Sequence, residues 1–459
     1  ILSLEKSLEK ISNKEKGGLI MSIAQKYKER FFYHFTHINN IPSIVEHGGL
    51  FSTNLKKKYG ISHYNVANMN IQHRRSEMRV PVGPQGVVHD YVPFYFASTN
   101  KMLLSLLNKK LVDQPYIVFL AVSIEKLLEE NVVFTNASAN TVLPPNFYAD
   151  PRDLDELDWD LIDSTKWGEN SGEELHLRMA EVLVYGKVPL EWIDTYIVFN
   201  CIGKNRIVKC YENVGLQTPS ISCIWFNKRS FFFTKFFFTG RKRETLVTGP
   251  MQLFGKYQCV VNYITNNRKK LNKYKCKFKN IEDAILKIQQ NFCAVQELAD
   301  IYNLETSNSV HHESVSDHTI TVVNNLSDTQ YYRYLGGREK AIVRLAAYFH
   351  DIGKGPRSKW KNGIQKPYLD HPSDSLWMLG RIFSEDFEEI EYRDYRDICL
   401  LVAYHDLLGD IIGKERSKEE LEQLELCDNM LYMLATLSEA DICALNESFS
   451  ENIGEKLQE

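Results

Sequence analysis

The sequence predicts an α+β first half followed by an all-helical second half, and three observations predict it. Short apolar runs rich in β-branched and aromatic residues, at 116–122 (YIVFLAV), 182–185 and 196–199, read as buried strands. Past residue 285 the apolar residues recur at helical spacing instead, as in Ile342, Leu345, Ala346 and Phe349, then Ile398, Leu401, Val402 and His405. Between the two lies a basic stretch, 228–279, with fourteen Lys or Arg and one acid, Glu244. It carries +13 in a chain whose net charge is −4, so the remainder carries −17.

A chain of 459 residues exceeds one ordinary core and implies two or three domains. We expect a first domain over 21–225, a basic aromatic-rich connector over 226–285 and a helical domain over 286–459. Because the chain opens on Ile, either it is a piece of a longer protein or Met21 is the native start, and 1–20 is set apart as a candidate non-native leader. That leader lacks the apolar core of a signal peptide.

At 44% hydrophobic and 25% charged, the composition excludes disordered and fibrous classes. The nine cysteines form no CxxC pair and read as reduced thiols of a cytoplasmic protein. No run approaches the ~20 apolar residues of a membrane span; the best, 231–238, is broken by Lys235. A GxGxxG after a strand is absent, which removes support for a dinucleotide-binding Rossmann unit. The basic stretch can follow a phosphate backbone, with Phe231–Phe233, Phe236–Phe238, Tyr257, Tyr263 and Tyr274 stacking on bases. The alternative is a linker whose Phe residues fill a seam.

Three segments of the first half stand out: 33–42 (YHFTHINNIP), 71–75 (IQHRR) leading to 89–96 (HDYVPFYF), and 178–184 (RMAEVLV). With 150–155 (DPRDLD) and 188–190 (VPL), their order and spacing resemble the DarT family of DNA ADP-ribosyltransferases, toxins of toxin–antitoxin and phage-defence systems. The resemblance implies an ADP-ribosyltransferase-like mixed α+β core in which NAD is a consumed substrate.

Breaking the nicotinamide–ribose bond builds positive charge on the sugar, so a carboxylate near the ribose is wanted. Glu181, entering a buried run, is the candidate, because an acid there is costly without a partner. A strand-edge glutamate facing solvent is the alternative. The resemblance implies an arginine by the NAD and the target base that assists deprotonation of the attacking nitrogen; Arg74 is the best match, with Arg75 the near alternative. It also implies His37 and Asn40 around the dinucleotide and the run containing Tyr91 and Tyr95 on the nicotinamide wall. The long polar stretch from Phe134 to Gly172, including Asn136, Asn140, Phe147 and Tyr148, would present the nucleic acid, and its acid-rich run 150–163 would favour a single strand over a duplex.

In the second half, His318, His350-Asp351, His371, His405 and Asp441 occur in the order seen in the HD superfamily of metal-dependent phosphohydrolases, which the sequence resembles. His and Asp suit Mn, Fe, Mg, Co or Zn. The resemblance implies one ion on His318, His350, Asp351 and Asp441, with His371 and His405 as the extra histidines of a two-metal site. Scattered structural histidines are the alternative. Lys354 would contact a substrate phosphate or cap a helix, and the surroundings of His312-Glu313 resemble HD domains attached to nucleotidyltransferases.

The expected function is transfer of ADP-ribose from NAD to a base of single-stranded DNA, thymidine ahead of guanosine, with DNA and an antitoxin protein as partners and no membrane. The rival is an HD nucleotide phosphohydrolase or phosphodiesterase whose first half only binds nucleic acid.

Overall fold

The computed structural model describes residues 22–64, 69–139, 144–164, 172–236, 240–270, 275–307, 313–414 and 416–445, without the side chains of 69–71 and 242. The candidate leader 1–20, Asn140, Phe237, Phe238, Tyr274 and His312 lie outside the described residues. The chain forms two compact units: one of residues up to Leu103 with Pro115–Phe232, the other of Leu104–Gln114 with Phe233 onward.

The first unit is built on an eight-stranded sheet in the order β10-β9-β4-β1-β3-β7-β5-β6. Its strands are β1 (Phe31–His37), β3 (Tyr91–Tyr95), β4 (Ile117–Ser123), β5 (Val132–Thr135), β6 (Phe147–Tyr148), β7 (Glu181–Tyr185), β9 (Thr195–Val198) and β10 (Ser220–Cys223). A separate two-stranded ribbon pairs β2 (Gly49–Phe51) with β8 (Lys187–Pro189). Neighbours in the large sheet are antiparallel except β10 and β9.

The continuous apolar run of β4 is explained by its central position with both faces covered. Val118, Leu120 and Val122 enter a core with Phe32, Phe94 and Val182, and all six are buried. On the other face Phe119 meets Phe231 and Phe232 with ring centroids 5.2 and 5.4 Å apart. Phe231 and Phe232 are therefore core residues of this unit and are not available for stacking on bases.

The two compact units divide between Phe232 and Phe233, inside the stretch 226–285. Residues to Phe232 close the first unit, while Phe233 and the helix Pro250–Arg268 belong to the second, where Tyr257, Val260 and Ile264 are buried. Aromatic side chains that fill cores tie each part of the stretch to its own unit. The acid-rich run is likewise structural. Asp150 and Asp158 cap helical turns, and Asp163 pairs with Arg30 and Arg229.

The second unit is helical around one core, with α1 (Val315–Asn325), α2 (Gly337–Phe349), α3 (His371–Glu385), α4 (Tyr392–Tyr404) and α5 (Asp428–Leu445) at its centre. The cysteines are free thiols among the described residues. No described helix is long and apolar enough to cross a membrane.

Candidate active site and candidate metal centre

Glu181 is the first residue of β7 and stands opposite Tyr95, the last of β3. Its carboxylate is fully buried. Oε1 accepts from Arg75 Nη1 at 2.9 Å, the Ala139 amide at 2.8 Å and Ser138 Oγ at 3.3 Å, while Oε2 accepts from Arg75 Nη2 at 2.8 Å. This is a bidentate ion pair, the strong geometry for guanidinium and carboxylate. Burial opposes the charge on Arg75, but the charge and hydrogen bonds of Glu181 outweigh it and hold the guanidinium above its ordinary range.

The arginine delivered to Glu181 is Arg75 and not Arg74. Both lie in the helix Met69–Glu77, where neighbours point about 100° apart, so one turns inward and the other outward. Arg75 is buried and Arg74 exposed. Gln72, three residues before Arg75, shares its face, and both line a cleft of ≈580 Å³ together with His34, Asn40, His89 and Tyr95.

His37 does not line that cleft. Three residues apart is an odd separation, so on the pleated strand β1 His34 and His37 face opposite ways. His34 faces the cleft, its Nδ1–H donating to the Pro93 carbonyl at 2.7 Å, and burial pushes its imidazole down to about 4. The His37 ring stacks on Tyr64, centroids 4.1 Å apart, and its Nδ1 accepts from the Asn39 amide. Strand parity in the sequence separates His34 from His37, and only the cleft lining tells which of the two the cleft receives.

Asn40 lines the cleft and pins the backbone at Tyr64, donating to its carbonyl at 3.0 Å and accepting from its amide at 2.7 Å. Tyr91 and Tyr95 also line it. The Tyr91 hydroxyl is committed to the Gln85 carbonyl at 2.8 Å. Burial and then the Glu181 charge push the Tyr95 phenol up. In the polar stretch after Phe134, Ser138 and Ala139 wrap Glu181, while Phe147 and Tyr148 form the edge strand β6.

In the second unit the residues of the metal motif converge. His350 and His405 end α2 and α4, and His371 opens α3. Each Nδ1 is bonded to the carbonyl three residues earlier: Ala347 at 2.7 Å, Val402 at 2.8 Å and Tyr368 at 2.8 Å. That bond puts the ring proton on Nδ1 and leaves an Nε2 lone pair facing inward, the state a metal ligand needs.

Three groups have ligand atoms within 4.8 Å of one another: His318, His350 and Asp351; Asp351, His371 and His405; His405, Asp406 and Asp441. Asp351 and His405 are each shared by two of these groups, so the three are contiguous. The residues fit cations. His350 Nε2 is buried without a hydrogen-bond partner, and the Nε2 atoms of His371 and His405 face each other at 3.0 Å, where two lone pairs repel unless a positive charge lies between them. Asp441 is pushed down to about 2, burial opposing and the His318 hydrogen bond and neighbouring imidazoles prevailing.

Asp406, which the sequence reading did not include, belongs to one of these groups, and His405-Asp406 repeats the His350-Asp351 frame. Lys354 Nζ holds Asp351 Oδ2 at 2.6 Å, so it has a carboxylate partner in place. At Gly353 an added Cβ would lie 2.1 Å from the His371 carbonyl, so only glycine lets the His-Asp turn reach α3.

A mixed sheet with an arginine–glutamate pair at a cleft, ahead of a helical His/Asp centre, defines a transferase-type unit followed by a metal-site unit. Residues 33–226 match the model of the family described as ssDNA thymidine ADP-ribosyltransferase, DarT, and residues 315–443 match that of the HD domain. A DNA ADP-ribosyl transferase of Thermus aquaticus is 35% identical over 194 residues, 41% of this chain and 82% of that protein. One from a Thermus species is 31% identical over 172 residues, 37% of this chain and 80% of that protein. The solved structure of Thermus sp. 2.9 DarT in complex with ADP-ribosylated ssDNA is 26% identical, covering 44% of this chain and 97% of that one with a TM-score of 0.40. The chain belongs to the DarT family of ADP-ribosyltransferases and carries an HD domain after the transferase region.

Proposed function

We propose that the first unit transfers ADP-ribose from NAD, consumed as substrate, to a thymine in single-stranded DNA. The observation that carries this is the buried Arg75–Glu181 pair beside a cleft of ≈580 Å³ in a chain of this family. Arg75 presents fixed positive charge on the cleft wall, and Glu181 holds it in one orientation. Preorganised charge of this kind positions NAD and base without reorganisation at the moment of reaction. Asn40, Tyr91 and Tyr95 are the proposed NAD contacts, with His34 in the place first given to His37.

The second unit is proposed as an HD phosphohydrolase holding one or two divalent ions on His318, His350, Asp351, His371, His405 and Asp441, with Asp406 added. Such ions, when bound, activate water and clamp phosphate oxygens. The His and Asp residues orient the ligand atoms, and Lys354 restrains Asp351. A toxin or phage-defence role with an antitoxin protein as partner is the proposal that follows from membership of the family.

The test is incubation with labelled NAD and single-stranded oligonucleotides that contain or lack thymidine, followed by mass spectrometry. The expected result is ADP-ribose on thymine, absent with the Glu181→Ala protein. Unmodified oligonucleotides with every sequence would overturn the reading. Phosphate release that needs metal and vanishes in His350→Ala is the separate signature of the HD unit.

A further inference from the structure

Lys235 interrupts the apolar aromatic run 231–238, and a lysine in such a run ordinarily carries its ammonium out to solvent. It is 1% exposed instead. A buried ammonium is costly unless it is paired, so the partners of Lys235 indicate what it does. It lies on the short strand Thr234–Lys235, which pairs antiparallel with Arg241–Thr245. The start of that strand is anchored, because the Phe233 amide donates to Gln114 Oε1 at 2.8 Å and the Phe233 carbonyl accepts from Gln114 Nε2 at 2.7 Å. All of these residues belong to the second unit.

The partners of Lys235 are Asp370 and Asp374, which flank the metal residue His371 at the start of α3. Its Nζ pairs with Asp370 Oδ2 and donates to Asp374 Oδ1 at 3.2 Å. Asp370 Oδ1 accepts from the Thr248 amide at 2.8 Å. Both oxygens of the carboxylate that precedes His371 are therefore held by Lys235 and Thr248, which lie outside the residues 315–443 that match the HD domain. Asp374 Oδ2 accepts from the Tyr368 hydroxyl at 2.7 Å and from Lys359 Nζ at 2.9 Å. The contacts run on to the histidine itself, since the Tyr368 carbonyl accepts from His371 Nδ1 at 2.8 Å. Lys359 also donates to the Gly353 carbonyl at 2.9 Å, in the turn that follows His350-Asp351.

His371 has little room for error. Its Nε2 lies 3.2 Å from Asp351 Oδ1 and 3.0 Å from His405 Nε2, and a slip of α3 by one residue would shift it by about 1.5 Å along the helix axis. Resting on the metal-site reading above, we propose that Lys235 is a positioning residue of the metal centre: by holding Asp370 and Asp374 at the first turn of α3, it sets His371 against Asp351 and His405. The group of His318, His350 and Asp351 has no member on α3 and does not depend on it. One lysine of the basic stretch thus serves the metal centre and not a phosphate backbone.

The experiment titrates the intact protein with manganese and follows the free ion by electron paramagnetic resonance, which gives the number of ions bound and the affinity of each. The wild-type protein is expected to bind two. In Lys235→Met one ion is expected to weaken about 10–100-fold, the range for removing a group that orients a metal ligand, while the other stays within about 3-fold of wild type. Placed on His371→Ala, which already weakens that ion, Lys235→Met is expected to add no further loss. The double variant Lys235→Met, Asp370→Asn removes both charges and strands neither, so it reports the same selective loss if the single variant fails to fold. No manganese bound by the wild-type protein would sink the metal-site reading itself, whereas one ion in place of two would overturn the proposal and spare that reading. The proposal is also overturned if Lys235→Met weakens both ions equally, weakens neither beyond about 3-fold, or deepens the loss in His371→Ala.

Discussion

The two polar centres solve opposite problems. At Glu181 the charges cancel within the protein: one guanidinium and two further donors, the Ser138 hydroxyl and the Ala139 amide, satisfy the carboxylate. At His350, lone pairs and carboxylates converge with an imidazole nitrogen unpartnered and two others confronting each other. The first centre is satisfied by its own protein groups, while the second gathers ligand atoms that fit cations. A complete centre contributes rigidity and an incomplete one affinity, which is how a substrate site and a metal site differ in general.

The sharpest way to break this contrast is to unbalance the first centre. Glu181→Gln should lower transfer by about 1,000-fold, within the range for removing a preorganised charge. It should also cost about 3–5 kcal/mol of stability by stranding the buried guanidinium of Arg75. Urea denaturation and oligonucleotide labelling check both. Next comes the second centre. Manganese at about 100 times its Kd should stabilise the HD unit by about 2.7 kcal/mol, and a chelator should remove the gain. His350→Ala, which deletes a convergent ligand, should show no manganese-dependent rise in melting temperature.

Acid sharpens the contrast further. His34 and His89 are both held near 4, below the ordinary value of about 6.5 for an unfolded histidine. A lowered histidine favours the neutral form in the fold, so its contribution is fully present above pH 6.5 and is lost as pH falls toward 4. Urea midpoints between pH 7 and 4.5 should therefore fall, and less steeply in a His34→Gln, His89→Gln protein. The smallest effect is expected for Arg74→Ala. Its side chain is exposed, so transfer should stay within about 2-fold of wild type while Arg75→Ala abolishes it. Equal losses in the two would remove the distinction between the neighbours.

The strands of the first unit and the helices of the second were legible because burial writes a period into the sequence. The convergence of His and Asp in the second unit was legible from local frames, three of which, at His350, His371 and His405, fall at a helix end or start. Arg75 was not separable from Arg74, since their helix is polar and offers no apolar stripe to fix its phase. His37 was preferred to His34 by resemblance; strand parity puts the two on opposite faces but does not say which face meets the cleft. The aromatic run at 231–233 was ambiguous because a ring that stacks on a base and a ring that fills a core have the same composition. Only the packing of Phe119 on Phe231 and Phe232 separates them.

The pairing of β1 with β4, in step over seven residues from Phe31↔Ser123 to His37↔Ile117, governs more than the sheet. A slip of one position would turn His34 away and bring a neighbour of opposite parity to the cleft wall. Which imidazole stands on the cleft wall is thus stored in a backbone alignment, and the hydrophobic residues that lock that alignment decide it from a distance.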